Sequence, residues 1–318
     1  MSVPTTNVSN QRLVIASRKS ALAMWQARHV QSRLEALYPE IEVTICGMTT
    51  QGDRLASVPL AKAGGKGLFV KELEDALAQG QADLAVHSMK DVPADLPAGF
   101  QLAAILERAD PRDAFVSTRY GTLAGVPAGG RVGTSSLRRE SQIRARHPYL
   151  NVVALRGNVP TRLKKLDEGE FDAIILAAAG LKRLGLEDRI TALLTPEESL
   201  PAPGQGALGL ECRAERADVQ MLLGPLDHKT TALCVTAERA VSRGLAGSCN
   251  VPLGAFAEVS GARMRLRGFV GAPDGSRLVS GALEGSAEDA SALGCALAEQ
   301  LRMHGADAIL AALEQQGE

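Results

Sequence analysis

Gly133-Thr134-Ser135-Ser136-Leu137-Arg138-Arg139 reads as the end of a strand passing into the start of a helix. Arg131-Val132-Gly133 supplies the strand, Ser135 or Ser136 the N-cap, and Leu137 to His147 the helix. Hydroxyls and backbone N–H groups at a helix start form an anion site, and the macrodipole adds to it. Arg138 and Arg139 fall in the first turn, where that dipole disfavours cations, so the pattern predicts an anion close by. The layout recurs: the strand-like Val152 to Leu155 runs into Arg156-Gly157-Asn158, with Arg162 about one helical turn further on. Arg183 follows the apolar run Ala173 to Ala179. A guanidinium holds a carboxylate through two parallel bonds and stays charged at any useful pH. One such arginine reads as a solvated basic face. A series at the exits of successive strands predicts a polyanion site.

The same alternation extends towards the N-terminus. Leu13 to Ala16 is a short apolar strand, Ser20 caps a helix from Ala21 to Leu37, and Ile41 to Cys46 is the next strand. Phe69 to Ala78 reads as a helix and Ala82 to Val86 as a third strand. Alternating strands and helices imply a mainly parallel sheet covered on both faces, with ligands at the carboxyl ends of its strands. Arg18, Ser20, His87, Ser88, Lys90 and Asp91 all fall at such ends. Proline-rich breaks at Asp110-Pro111 and Pro201-Ala202-Pro203-Gly204 frame the arginine-bearing set. From about Lys229 the pattern changes to a helix, Thr230 to Arg243, and a glycine-flanked loop. Strands near Ala255 to Val259, Arg263 to Val270 and Arg277 to Ser280 follow, then helices near Ala287 to Met303 and Ala306 to Glu314, an α+β module.

Composition narrows the chemistry. The net charge of the 318 residues is −1, so the arginines are a local feature of a neutral chain. A general nucleic-acid binder would be basic over a whole domain and would offer stacking aromatics, which here are only 3% of residues. No apolar run reaches the roughly 18 residues of a membrane span. Met1 to Gln11 reads as neither a signal-peptide core nor an Arg-rich transit helix, which predicts a cytoplasmic protein. Five scattered cysteines without Cys-x-x-Cys predict reduced thiols, and the isolated histidines predict no metal site.

Three further segments each admit a plain and a functional reading. Gly64-Gly65-Lys66-Gly67 lacks phosphate-loop spacing and reads as a flexible loop, with Lys66 a mobile cation. His87-Ser88-Met89-Lys90-Asp91-Val92-Pro93 sets a carboxylate at a strand mouth: Asp91 is a locally paired turn residue or a group that stabilises a developing cation. His87 alone reads as a hydrogen-bonded structural histidine. Gly247-Ser248-Cys249-Asn250 places a thiol in a loop with small neighbours, which suits a reactive cysteine, whereas Cys46, Cys212, Cys234 and Cys295 sit in apolar settings.

Taken together, Ala16 to Ser20, Gly64 to Phe69, Ala85 to Pro93, Gly133 to Arg139, Leu155 to Val159, Pro203 to Ala207 and the Cys249 loop resemble the porphobilinogen deaminase family, in family order. The resemblance implies two periplasmic-binding-protein-like α/β domains, 12–108 with 204–226 and 109–203, plus a C-terminal α+β domain, 227–318. It implies a monomeric transferase of tetrapyrrole (haem) biosynthesis that joins four porphobilinogen molecules head to tail, losing ammonia each time, to give hydroxymethylbilane. A dipyrromethane cofactor, held by a thioether to Cys249, primes the chain. Carried over by position, Lys90, Ser136, Arg138, Arg139, Arg156, Gly157 and Arg183 hold the cofactor. Arg18, Ser20, Lys66, Arg156 and Arg162 hold substrate, and Asp91 is catalytic. Porphobilinogen is then the small-molecule partner, with neither nucleic acid nor membrane expected. The rival from another class is an anion-binding protein of the periplasmic type without chemistry, which would have no use for Cys249.

Overall fold

The computed structural model describes residues 12–54, 70–245 and 251–317. In chain order, β1 (Arg12–Arg18), α1 (Ala21–Leu37), β2 (Glu42–Met48), α2 (Lys71–Ala78), β3 (Leu84–Ser88) and β4 (Phe100–Ile105) come first. A second run holds β5 (Asp113–Val116), β6 (Arg131–Gly133), α3 (Leu137–Arg146), β7 (Asn151–Val153), α4 (Val159–Asp167), β8 (Ala173–Ala177), α5 (Ala178–Arg183) and β9 (Ala192–Leu194). Then come β10 (Leu208–Arg213), α6 (Ala217–Leu223), α7 (Lys229–Gly244), β11 (Leu253–Ser260), β12 (Arg263–Gly271), β13 (Leu278–Ser286), α8 (Ala290–Met303) and α9 (Ala306–Gly317).

These strands form three sheets, ordered β2-β1-β3-β10-β4, β7-β6-β8-β5-β9 and β11-β12-β13. The first two are mixed, where the alternation predicts a mainly parallel arrangement. β10 runs antiparallel to β3 and β4, and β5 antiparallel to β8 and β9. The reason lies in the chain path. Residues 106–112 carry the chain out of the first sheet and 195–207 bring it back. β5 therefore starts where β8 ends (Asp113 opposite Ala177), and β10 starts where β3 ends (Leu208 opposite Ser88). Both crossovers thus leave from the carboxyl ends of the parallel strands, where α/β sheets bind ligands. Ala109 N–H donates to Gly206 O at 3.1 Å, so the two crossovers are bonded to each other.

Period-two patterning builds the cores. Along β8, Ile174 and Leu176 face one cluster with Leu155, Leu163 and Leu181, while Ile175 faces the other with Phe115, Val132 and Ile143. A strand buried on both faces needs helices on both, which α3 and α4 provide. In the third sheet β13 runs to Ser286, beyond the Ser280 that the sequence suggests. Gly281 follows directly, and a Cβ there would lie 3.1 Å from Leu297, as would one at Gly268. These glycines let α8 rest directly on the sheet. Among the described residues no helix is long and apolar enough to cross a membrane.

Candidate active site

Most of the expected side chains sit in the turns and helices that directly follow strand ends. β3 leads into a 3-10 turn, Met89–Asp91, that presents Lys90 and Asp91. Met89 is fully buried beneath it, in space that only glycine leaves: a Cβ at Gly204 (φ +71°) would come within 2.7 Å of Met89 Cβ. Arg239 of α7 donates to the Val92, Pro93 and Ala94 carbonyls at 3.3, 2.8 and 2.9 Å, fixing the exit of the turn. On the facing sheet β6 ends at Gly133, and Ser135 Oγ donates to Leu155 O at 2.6 Å. Ser136 is the N-cap of α3 but makes no side-chain capping bond, so its hydroxyl is not spent on the helix. After β7, Gly157 at φ +114° turns the chain, and Asn158 caps α4 by accepting from Thr161 N–H at 3.0 Å. Arg162 Nε donates to Gly157 O at 2.7 Å.

Arg18 and Ser20 stand at the end of β1. Ser20 Oγ caps α1 by accepting from Ala23 N–H at 3.3 Å, and Arg18 pairs with Asp53, its Nε 3.2 Å from Oδ2. Arg183, at the end of α5, donates to Gly206 O at 2.7 Å and lies over the Trp25 ring, 5.9 Å from its centre. His87 is structural as expected, its Nε2 2.7 Å from Glu211 Oε2 in the interior. Lys66 and Cys249 lie outside the described residues.

The anion that the first turn of α3 demands belongs to the protein itself. Asp113 is wholly buried between Arg138 and Arg139, with contacts of 2.7 to 3.1 Å to both. The sequence reading aims both forks at cofactor carboxylates, yet in this structure they grip Asp113. Asp113 lay unnoticed beside the Asp110-Pro111 break, because a buried partner 25 residues away leaves no local signal. Although its burial opposes charge, the two arginines hold its carboxyl well below the usual range.

Positive charge is in excess all the same. Lys90 interacts electrostatically with Asp91, Arg139, Asp113 and Arg138, and Arg162 with Arg139, Arg156 and Asp91. Among the described residues, then, five cations (Lys90, Arg138, Arg139, Arg156, Arg162) share two carboxylates. Burial is the main reason that Lys90 falls to about 8 and Arg162 to about 10, with neighbouring arginines adding to it. Arg138 Nε is buried with no hydrogen-bond partner among the described residues. This cluster holds more cations than carboxylates, which fits a ligand bearing several carboxylates.

Affinity for an anionic ligand should fall as pH rises through about 8, where Lys90 loses its proton. Lys90→Arg should move that fall to higher pH. The same depressed pKa makes the charged lysine a cost to the fold, so stability should rise between about 8 and the ordinary 10.5, read by thermal melts across that range. Arg138→Leu or Arg139→Leu leaves Asp113 with one arginine, so the buried site stays paired. The main loss is charge-assisted bonding, worth roughly 1.5–3 kcal/mol or about tenfold or more in ligand affinity. Lysine replacements should restore only part, lacking the fork. Titration of ligand binding in the purified variants checks both.

Comparison with known proteins bears on what this site is for. The family model "Porphobilinogen deaminase, dipyromethane cofactor binding domain" matches residues 13–221, and "Porphobilinogen deaminase, C-terminal domain" matches 232–303. A relative named porphobilinogen deaminase from Methylobacillus flagellatus is 64% identical over 301 residues, covering 95% of this chain and 97% of that protein. Those of Thiobacillus denitrificans and Chromobacterium violaceum are 64% and 62% identical, each over 95% of this chain and 98% of theirs. Among solved structures, the periplasmic aliphatic sulphonate binding protein SsuA from Escherichia coli is 16% identical, covering 73% of this chain and 70% of that one, with a TM-score of 0.40. A TRAP periplasmic solute binding protein from Desulfovibrio salexigens gives 13%, 68%, 72% and 0.42. Scores this low carry no argument, and the α/β, α/β and α+β architecture rests on the three sheets themselves. The sequence matches, which span nearly the whole chain, do decide the family: the chain belongs to the porphobilinogen deaminases.

Proposed function

We infer that this chain carries out its family's reaction: head-to-tail joining of four porphobilinogen molecules, with loss of ammonia at each step, to give hydroxymethylbilane for tetrapyrrole biosynthesis. The observation that carries this reading is the excess of cations over carboxylates where Lys90 and Asp91, after β3, meet the arginines of α3 and α4. Every pyrrole ring brings an acetate and a propionate, so a growing chain presents carboxylate after carboxylate. Lys90, Ser136, Arg138, Arg139, Arg156, Gly157 and Arg183 would hold the dipyrromethane cofactor, which supplies the primer to which the first substrate is joined. Arg18, Ser20, Arg156 and Arg162, with Lys66 outside the described residues, would bind incoming rings. Arginine suits this task because its charge does not titrate away as carboxylates arrive.

Asp91 is the carboxylate of the turn that presents it beside Lys90, and Arg162 lies within its electrostatic reach. Its role is to oppose the cation formed on the substrate ring as ammonia departs, and to manage the ring N–H proton. Burial around it strengthens that interaction, since charges act more strongly away from water. The reading divides the chain into 12–108 with 204–226, 109–203 and 227–318, with Cys249 of the last part as the cofactor anchor. It also makes a single chain the working unit and the cytoplasm its location. The test is direct. Purified protein should show an intact mass raised by one covalent dipyrrole and should release one ammonia per porphobilinogen consumed; a protein showing neither has another function.

A further inference from the structure

Asp113 is the first residue of β5, directly after the outgoing crossover, and is completely buried. Its Oδ1 receives Arg139 Nε (3.0 Å), Arg139 Nη2 (2.7 Å), Arg138 Nη2 (3.1 Å) and Gln205 Nε2 (2.9 Å). Its Oδ2 receives Arg138 Nη2 (2.9 Å) and Ser199 Oγ (2.7 Å). Ser199 and Gln205 lie on the returning crossover, so one carboxylate joins the arginine pair to both chain segments between the sheets. The attachment is reinforced alongside: Arg138 Nη1 donates to Leu200 O (2.5 Å), and Leu200 N–H donates to Gln142 Oε1 of α3 (2.7 Å).

The bonds to Asp113 leave donors over. A guanidinium has five N–H groups in a fixed plane, and fixing some of them sets the direction of the rest. Arg138 Nε is buried and lacks a partner among the described residues. Among the described residues, Arg139 Nη1 and Nη2 each make one hydrogen bond, to Ile175 O and to Asp113, from two hydrogens apiece. A carboxylate that neutralised the arginines and nothing else could sit anywhere on the fork. This one is itself held by a serine and a glutamine from another segment, which fixes where it sits.

We propose that Asp113 is the positioning residue of the site: it aims Arg138 and Arg139 at the ligand carboxylates and ties their orientation to the returning crossover through Ser199 and Gln205. The proposal rests on the reading of the arginine pair as carboxylate ligands given above. A stability element would serve the fold and leave ligand affinity alone. A positioning residue moves affinity even when the fold is intact.

The experiment compares wild type with Asp113→Asn, Asp113→Glu and Ser199→Ala by circular-dichroism melting, intact mass and steady-state kinetics with porphobilinogen. Asp113→Asn leaves two buried arginines without a counter-charge and should purify mostly without the dipyrrole, while Asp113→Glu should regain part of the loading. Ser199→Ala removes one neutral donor and keeps the ion pairs, so it also decides the matter if the asparagine variant does not fold. It should keep the wild-type fold, while reconstitution of its apo-protein with the dipyrrole requires roughly three- to tenfold more porphobilinogen than wild type does, the range expected for one net hydrogen bond. A Ser199→Ala protein whose melting temperature drops while its loading with the dipyrrole stays at the wild-type level overturns the proposal, as does a folded Asp113→Asn protein that loads and turns over normally. If wild type itself carries no dipyrrole, the functional reading fails first and this one with it. If wild type is loaded and all the variants match it, only the role of Asp113 is lost.

Discussion

Cys249→Ser should purify as a folded protein with no covalent dipyrrole and with turnover reduced to background. The argument is one of nucleophile chemistry. A thiol with a pKa near 8.5 is a few per cent thiolate at neutral pH and strongly nucleophilic, whereas a serine hydroxyl without an activating base is neither. A thioether, once formed, survives the repeated additions of turnover, which an ester anchor would not. The cysteine belongs to the short connection between α7 and β11, and the start of β11 is joined to the returning crossover, Ala255 N–H donating to Pro201 O at 3.1 Å. A covalent group occupying the native state alone stabilises it, so the serine variant should also melt lower than loaded wild type. Intact mass decides the matter: a dipyrrole still attached in Cys249→Ser would place the anchor on another residue.

Asp91→Asn should lower turnover by roughly 10²-fold or more, equivalent to about 2.7 kcal/mol of transition-state stabilisation. The substitution keeps shape but removes the charge and turns one acceptor oxygen into an NH2 donor. That charge counts heavily here because Lys90 and Arg162 are close enough to interact with it. Without Asp91, a cation forming on the substrate meets a wall with almost no negative charge beyond the already committed Asp113. Asp91→Glu restores the charge about one methylene out of place and should retain more activity than asparagine. Melting temperature should change little beside the loss of rate, since Asp91 is only half-buried at the edge of its turn. Single-turnover release of ammonia separates these outcomes from effects on loading. Equal rates in wild type and Asp91→Asn would make Asp91 a turn residue and assign cation stabilisation elsewhere.

Much of the scaffold was legible from local pattern. Helix α1 is bounded where Ser20 and Pro39 predict, and the exits of β1, β3, β6 and β7 carry the arginine, lysine, aspartate and serine residues that the alternation puts there. The antiparallel strands β5 and β10 were not legible, because strand direction depends on where the chain enters a sheet. No residue within the strand encodes that. The continuation of β13 past Ser280 was hidden for a related reason: glycine weakens a strand by propensity, and here it serves the close approach of α8. One ion pair and one hydrogen-bond set were missed as well, Arg108 with Glu238, and Arg239 with the carbonyls after Asp91. Glu238 also accepts from Gly204 N–H at 2.7 Å and Ala257 N–H at 2.8 Å, so it binds both crossovers to the third sheet.

The sequence by itself determined the family, the alternation of strand and helix, and the residue types at the strand exits, because capping, periodicity and motif order are local properties of the chain. Only the tertiary structure decided what those residues face. It showed that Arg138 and Arg139 are already engaged by Asp113, and that Lys90 lies among arginines that help to lower its pKa. The physical reason is that Coulomb energy and desolvation depend on distance and burial in three dimensions, and residues 25 or 90 positions apart in the chain meet only after the sheets have formed.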